Sequence, residues 1–129
     1  MGKGRMISIV DDDEAVRDAT ASLVRAAGYA PRAFPCARDF LASEELPATD
    51  FLIADVQMPG MTGLDLYDAL VDAGKRIPTV LITAYPDEKS RTRALQAGVM
   101  RYLTKPFNET ELLDCIQSAL EPGEKRSDT

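Results

Sequence analysis

No histidine occurs anywhere in this chain of 129 residues, and its two cysteines, Cys36 and Cys115, form no CxxC pair. Ser-His-Asp and Cys-His nucleophiles, histidine zinc sites and a phosphohistidine carrier are therefore excluded. Chemistry must run on carboxylates, hydroxyls, lysine or the backbone. Groups of these types collect where apolar runs stop. Asp11 and Asp12 follow RMISIV (5–10), and Asp55 lies in FLIADV (51–56) after Phe-Leu-Ile-Ala. Thr83-Ala84 closes TVLIT (79–83), and Thr104-Lys105-Pro106 closes GVMRYLT (98–104).

Clustered acids constrain what can bind. Two like charges about 4 Å apart cost roughly 4 kcal/mol at an effective dielectric near 20. Three carboxylates at one place need a cation, a proton or the ammonium of Lys105. Oxygen donors without His or Cys suit a hard ion, Mg2+ before a transition metal. A hydroxyl and a lysine opposite are what an incoming phosphoryl group requires, so the set reads as Mg2+-assisted phosphoryl transfer. Asp55 stands alone between Ala54 and Val56, which makes it the better nucleophile for an acyl phosphate. Asp11 and Asp12 read as metal-side residues. Asp13 and Glu14 lie past them, where acids favour the free N–H groups of a helix start.

The elements that must position these residues are legible. Continuous, β-branched apolar runs indicate strands buried on both faces of a parallel sheet. YAPRAF (29–34) is weaker and its Pro31 suits an edge strand. Between the runs lie helical stripes: Val16, Ala19, Leu23 and Ala27; Leu66, Ala69, Leu70 and Ala73; Leu112, Leu113, Ile116 and Leu120. CARDFLASEEL makes a shorter helix. Gly28, Gly74 and Gly98 stand where helices stop. Five β-α units in succession predict an α/β fold, a doubly wound parallel sheet with right-handed crossovers. Ligands of such sheets bind beyond the carboxyl ends of the strands, where the polar groups gather.

One domain is expected over 1–120, followed by a polar tail or linker start at 121–129. The net charge of −6 argues against binding to nucleic acid phosphates. No run approaches the roughly 18 apolar residues of a membrane span, and no secretory signal is present, which points to the cytoplasm. The two thiols are expected to be reduced and mostly buried.

The motifs VDDDEAVR, DVQMPGMTGLDL, LITA and YLTKPF, in this order and at these separations, resemble the receiver domain of two-component response regulators over about residues 5–120. The likeness is greatest to receivers of LuxR-class transcription regulators. It implies a five-stranded flavodoxin-like sheet of order 2-1-3-4-5 and a phosphorylation-activated switch. Asp55 matches the phosphoacceptor, served by a sensor histidine kinase. Asp12 matches the direct ligand of Mg2+ (with Mn2+ as a substitute), Asp11 acts on the ion through water, and Gln57 supplies its backbone carbonyl. Thr83 and the Ala84 N–H match the phosphoryl-binding pair, Lys105 the phosphoryl-binding lysine, and Tyr102 the aromatic coupled to Thr83. Lys105–Pro106 resembles the family's cis peptide. Tyr102 also reads as plain packing.

The resemblance further implies a downstream output domain or protein, and phosphorylation-linked homodimerisation. The face for these would be helix four, strand five and helix five, with Lys89, Arg91, Arg93 and Arg101, which also read as a solvated surface. Both a free-standing receiver and the receiver of a longer regulator fit. No enzyme activity on an outside substrate is expected. A phosphatase of the haloacid-dehalogenase type needs an acid where Gln57 stands, and a flavodoxin-like electron carrier needs a hydroxyl-rich loop where Asp11 to Glu14 would repel the flavin phosphate.

Overall fold

The computed structural model describes residues 5–121. Five strands run parallel: β1 (Met6–Val10), β2 (Ala30–Phe34), β3 (Thr49–Asp55), β4 (Thr79–Thr83) and β5 (Arg101–Thr104). Their order is β2-β1-β3-β4-β5, as expected, with the Pro31 strand at an edge. The helices are α1 (Glu14–Ala26), α2 (Ala37–Leu41), α3 (Gly63–Asp72), α4 (Glu88–Ala97) and α5 (Glu109–Leu120). A 3-10 turn at Leu46–Ala48 leads into β3. Of the expected tail only Glu121 is among the described residues.

The continuous apolar runs are continuous because both faces of the sheet are covered. Ile7, Ile9, Phe51, Ile53, Val80, Ile82 and Leu103 meet Val24 of α1 and Leu112 and Ile116 of α5. Their alternate neighbours Val10, Leu52, Ala54 and Leu81 meet Phe40 of α2, Leu66 and Leu70 of α3, and Ala94 of α4. Each fully buried aliphatic side chain contributes roughly 1.5–3 kcal/mol, so the central strands anchor the domain. Two buried hydroxyls inside the sheet, Ser8 and Thr49, bond to each other at 2.8 Å, and Thr49 also donates to the Glu45 carbonyl.

Two expected stripes shift. On α1 the buried residues are Thr20 and Val24, while Val16 and Leu23 are half-buried and Ala19 and Ala27 exposed. Val16, Ala19 and Leu23 line an open groove with Lys105, Pro106 and Phe107, while α1 packs on β2 and β1. On α3 Leu64 joins Leu66 and Leu70 in the core, and Ala73, the residue after its last turn, is exposed. Cys115 is buried and Cys36 half-buried, both as free thiols.

Helix ends follow local chemistry. Asp13 accepts from the N–H groups of Ala15 and Val16, Asp87 from Ser90 and Asn108 from Glu111; Thr62 and Asp65 form a reciprocal capping box. Gly28, Gly74 and Gly98 all take positive φ at helix ends. Asp13→Ala removes the α1 cap and should lower stability by about 1 kcal/mol, read as a lower urea midpoint at unchanged slope.

Candidate functional site

Strand register alone brings the polar residues together. Val10 pairs with Ala54, Asp55 with Ile82, and Thr83 with Thr104, so all four chains leave the sheet within a residue of the same level. The exits are held by backbone bonds from Asp11 to Phe34, Val56 to Ile82, and Lys105 to Thr83. Ligand oxygens of Asp11, Asp12 and Asp55 consequently lie within 4.8 Å of one another. Asp11 and Asp55 are buried, at 3% and 5% exposure, whereas Asp12 is open to solvent.

Lys105 reaches into this cluster from the end of β5, across the cis Lys105–Pro106 peptide. Its Nζ lies 3.2 Å from Asp11 Oδ2 and 3.1 Å from Asp55 Oδ2. The remaining oxygens are held by the main chain. Asp11 Oδ1 accepts from the Asp13 N–H at 2.9 Å, and Asp55 Oδ1 from the Gln57 N–H at 3.1 Å. The two acids thus have fixed orientations, and Asp12 projects beside them.

Burial raises the Asp55 carboxyl above its ordinary range; the Lys105 hydrogen bond works against this and the Asp11 charge adds to it. Burial of Lys105 disfavours its charge, but its bonds to Asp55 and Asp11 outweigh that, so its ammonium is held more firmly than usual. Charge is unbalanced here: two buried carboxylates share one cation. The donor set, three carboxylates with one facing solvent, fits a hard divalent ion.

Thr83 is fully buried. Its Oγ1 accepts from the Tyr85 N–H at 2.9 Å and donates to Gln57 Oε1. Ala84 is exposed at the bend after β4. Tyr102, paired with Leu81 across the β4–β5 ladder, is half-buried on the same side of the sheet as Thr83. Its hydroxyl is the one buried side-chain polar atom among the described residues without a partner. The structure therefore gathers Asp11, Asp12, Asp55 and Lys105 at one point, and Thr83, Gln57 and Tyr102 beside it.

Three contributors went unread in the sequence. Arg17 Nη1 donates to the Asp11 carbonyl at 2.8 Å and pins the end of β1 to α1. Gln57 acts through its side chain as well as its backbone. Gly63, at the start of α3, leaves no room for a side chain, since a Cβ there would lie 2.5 Å from the Asp55 carbonyl oxygen. The only sequence signal for it was the glycine in MTGLDL.

On the basic face, Lys89, Arg91, Arg93 and Arg101 are all exposed. Arg93 pairs with Asp68 of α3 at 3.4 Å and Arg101 with Glu111 of α5 at 3.1 Å. Such exposed pairs contribute little. Among the described residues no helix is long and apolar enough to cross a membrane.

A family model described as the response regulator receiver domain matches residues 7–117. The chain belongs to that family, whose members are phosphorylation-dependent signalling switches. It is 41% identical over 118 residues to the response regulator protein TodT of Pseudomonas putida, covering 92% of this chain and 52% of that protein. It is 33% identical over 115 residues to the transcriptional regulatory protein FixJ of Rhizobium meliloti, covering 89% and 56%. Among solved structures, the response regulator StyR superposes with a TM-score of 0.84 at 37% identity, covering 97% of this chain and 63% of the other. The chain spans about half the length of the curated relatives it matches.

A pH dependence follows from the buried acid. An unfolded aspartate titrates near 3.9, and the folded value of Asp55 is higher, so the folded state holds its proton longer. The contribution of Asp55 to metal-free stability is then greatest below the unfolded value and is lost as pH rises through the folded one. In EDTA, the stability of the parent relative to Asp55→Asn should fall as pH rises above the unfolded aspartate value of about 3.9. Urea midpoints that stay at a constant difference over that rise would contradict this.

Proposed function

We propose that this domain accepts a phosphoryl group on Asp55 from a sensor histidine kinase, with Mg2+ held by Asp11, Asp12, Asp55 and the Gln57 carbonyl. One observation carries the reading: Asp55, Asp11 and Asp12 offer oxygens within 4.8 Å, with Lys105 Nζ 3.1 Å from Asp55. An Asp55 oxygen attacks phosphorus, the new O–P bond forms, and the N–P bond of the donor phosphohistidine breaks to release imidazole. Lys105 and the Thr83 hydroxyl, with the Ala84 N–H, take the phosphoryl oxygens. The carboxylates of Asp11, Asp12 and Asp55 would hold Mg2+ (or Mn2+ in its place), which would supply positive charge to the site.

The same residues work on this chain only, so we read it as a switch and not as an enzyme for an outside substrate. Gln57 cannot supply the leaving-group proton that a phosphatase would need there. The output is carried by an attached or separate partner that regulates transcription, the role named for FixJ and for TdiR of Thauera aromatica. The face of α4, β5 and α5 transmits the change, with Tyr102 following Thr83, and it is also where a phosphorylated homodimer would form. In support, α4 buries only Ala94 of its ten residues, which leaves it the least anchored of the long helices. The domain itself contacts neither nucleic acid nor membrane and works in the cytoplasm.

Incubation with acetyl phosphate and Mg2+, followed by intact-protein mass measurement, should show one added phosphoryl group on the parent. Asp55→Asn and Asp12→Ala should show none. An unmodified parent, or an equal adduct on Asp55→Asn, would overturn the assignment.

A further inference from the structure

We propose that the Gln57 side chain is a latch on Thr83, holding the unphosphorylated domain in its resting state; the proposal rests on the phosphoacceptor reading above. A threonine hydroxyl has one proton and can also accept. Here the oxygen accepts from the Tyr85 N–H at 2.9 Å, and the proton goes to Gln57 Oε1. Thr83 itself is fully buried, while Gln57 reaches it from the exposed side of the site. Phosphoryl oxygens accept hydrogen bonds and do not donate them. Thr83 can therefore serve a phosphoryl group on Asp55 only by withdrawing its proton from Gln57. The two acceptors compete for one hydrogen.

The released amide has somewhere to go. Gln57 borders a cavity of about 310 Å3 whose other walls include Tyr102, Ser90 and Arg93. Within the described residues, the Tyr102 hydroxyl is the buried polar atom that lacks a partner. Gln57 is a positioning residue on this account. Through its bond to Thr83 it sets how readily that hydroxyl leaves its resting place. The backbone carbonyl assigned to the metal is unchanged by substituting the side chain, which makes the two roles separable.

The test is a titration with beryllium fluoride, a tetrahedral phosphoryl mimic, in the presence of Mg2+. Gln57→Met keeps the length of the side chain and removes the acceptor. It should bind the mimic about fivefold more tightly than the parent, the scale of one net hydrogen bond. The gain should vanish when the same change is made in a Thr83→Ala background. In the metal-free protein the Thr83 hydroxyl proton should be protected from exchange by NMR. Gln57→Met should lose that protection and Gln57→Glu, which retains an acceptor oxygen, should keep it. Equal affinity in the parent and Gln57→Met, or a fivefold gain that persists without Thr83, overturns the latch alone. A hydroxyl whose exchange ignores Gln57→Met overturns it too, without reference to the mimic. A parent that binds no beryllium fluoride overturns the phosphoacceptor reading and the latch together.

Discussion

A single ammonium group, that of Lys105, stands between two buried carboxylates, and the rest of the domain is arranged around that imbalance. Asp11 and Asp55 are both buried, and the ammonium between them offsets the repulsion of their like charges. Yet one cation leaves the pair a charge short, and burial still lifts the Asp55 carboxyl above its ordinary range. The deficit is kept small by main-chain donors, the N–H groups of Asp13 and Gln57, which occupy the remaining oxygens. Those donors relieve charge without neutralising it. A further cation, or a phosphoryl group that brings one, is what such a site lacks.

Holding like charges together needs a rigid frame. The three parallel ladders from β1 to β5 supply it, because their registers deliver Asp11, Asp55, Thr83 and Lys105 to one edge. The buried alternation of Phe51, Leu52, Ile53 and Ala54 fixes β3 on both faces, so a slip would turn apolar groups into the site. Arg17 ties the end of β1 to α1, and Gly63 lets α3 begin directly against the Asp55 carbonyl. Toward α4 the packing thins to Ala94 and a half-buried Tyr102, where movement costs least.

Much of this was legible in the residues. Unbroken β-branched runs announced a sheet covered on both sides, and the acids, hydroxyl and lysine at their ends announced an edge site. Asp13 as a helix cap separate from Asp11 and Asp12 followed from its place past them, at the start of the first helix. What stayed hidden depends on direction and distance rather than type. Nothing in the order of residues says that the Gln57 amide turns toward Thr83, or that the Arg17 guanidinium folds back on the Asp11 carbonyl. The α1 stripe was misplaced for a related reason. Periodicity identifies an apolar face, but the way α1 packs on β1 and β2 decides that Thr20 and Val24, not Ala19 and Ala27, are covered.

The central claim is that Lys105 balances carboxylates which a divalent cation also balances. Its most direct measurement is the unfolding free energy of Lys105→Met against the parent, in EDTA and in excess Mg2+. Removing the ammonium leaves two part-compensated acids in a nearly dry site, so in EDTA the variant should lose about 2 kcal/mol. Excess Mg2+ should recover more than half of that loss, since the ion takes over the same charge. A loss of equal size with and without Mg2+ would contradict the account.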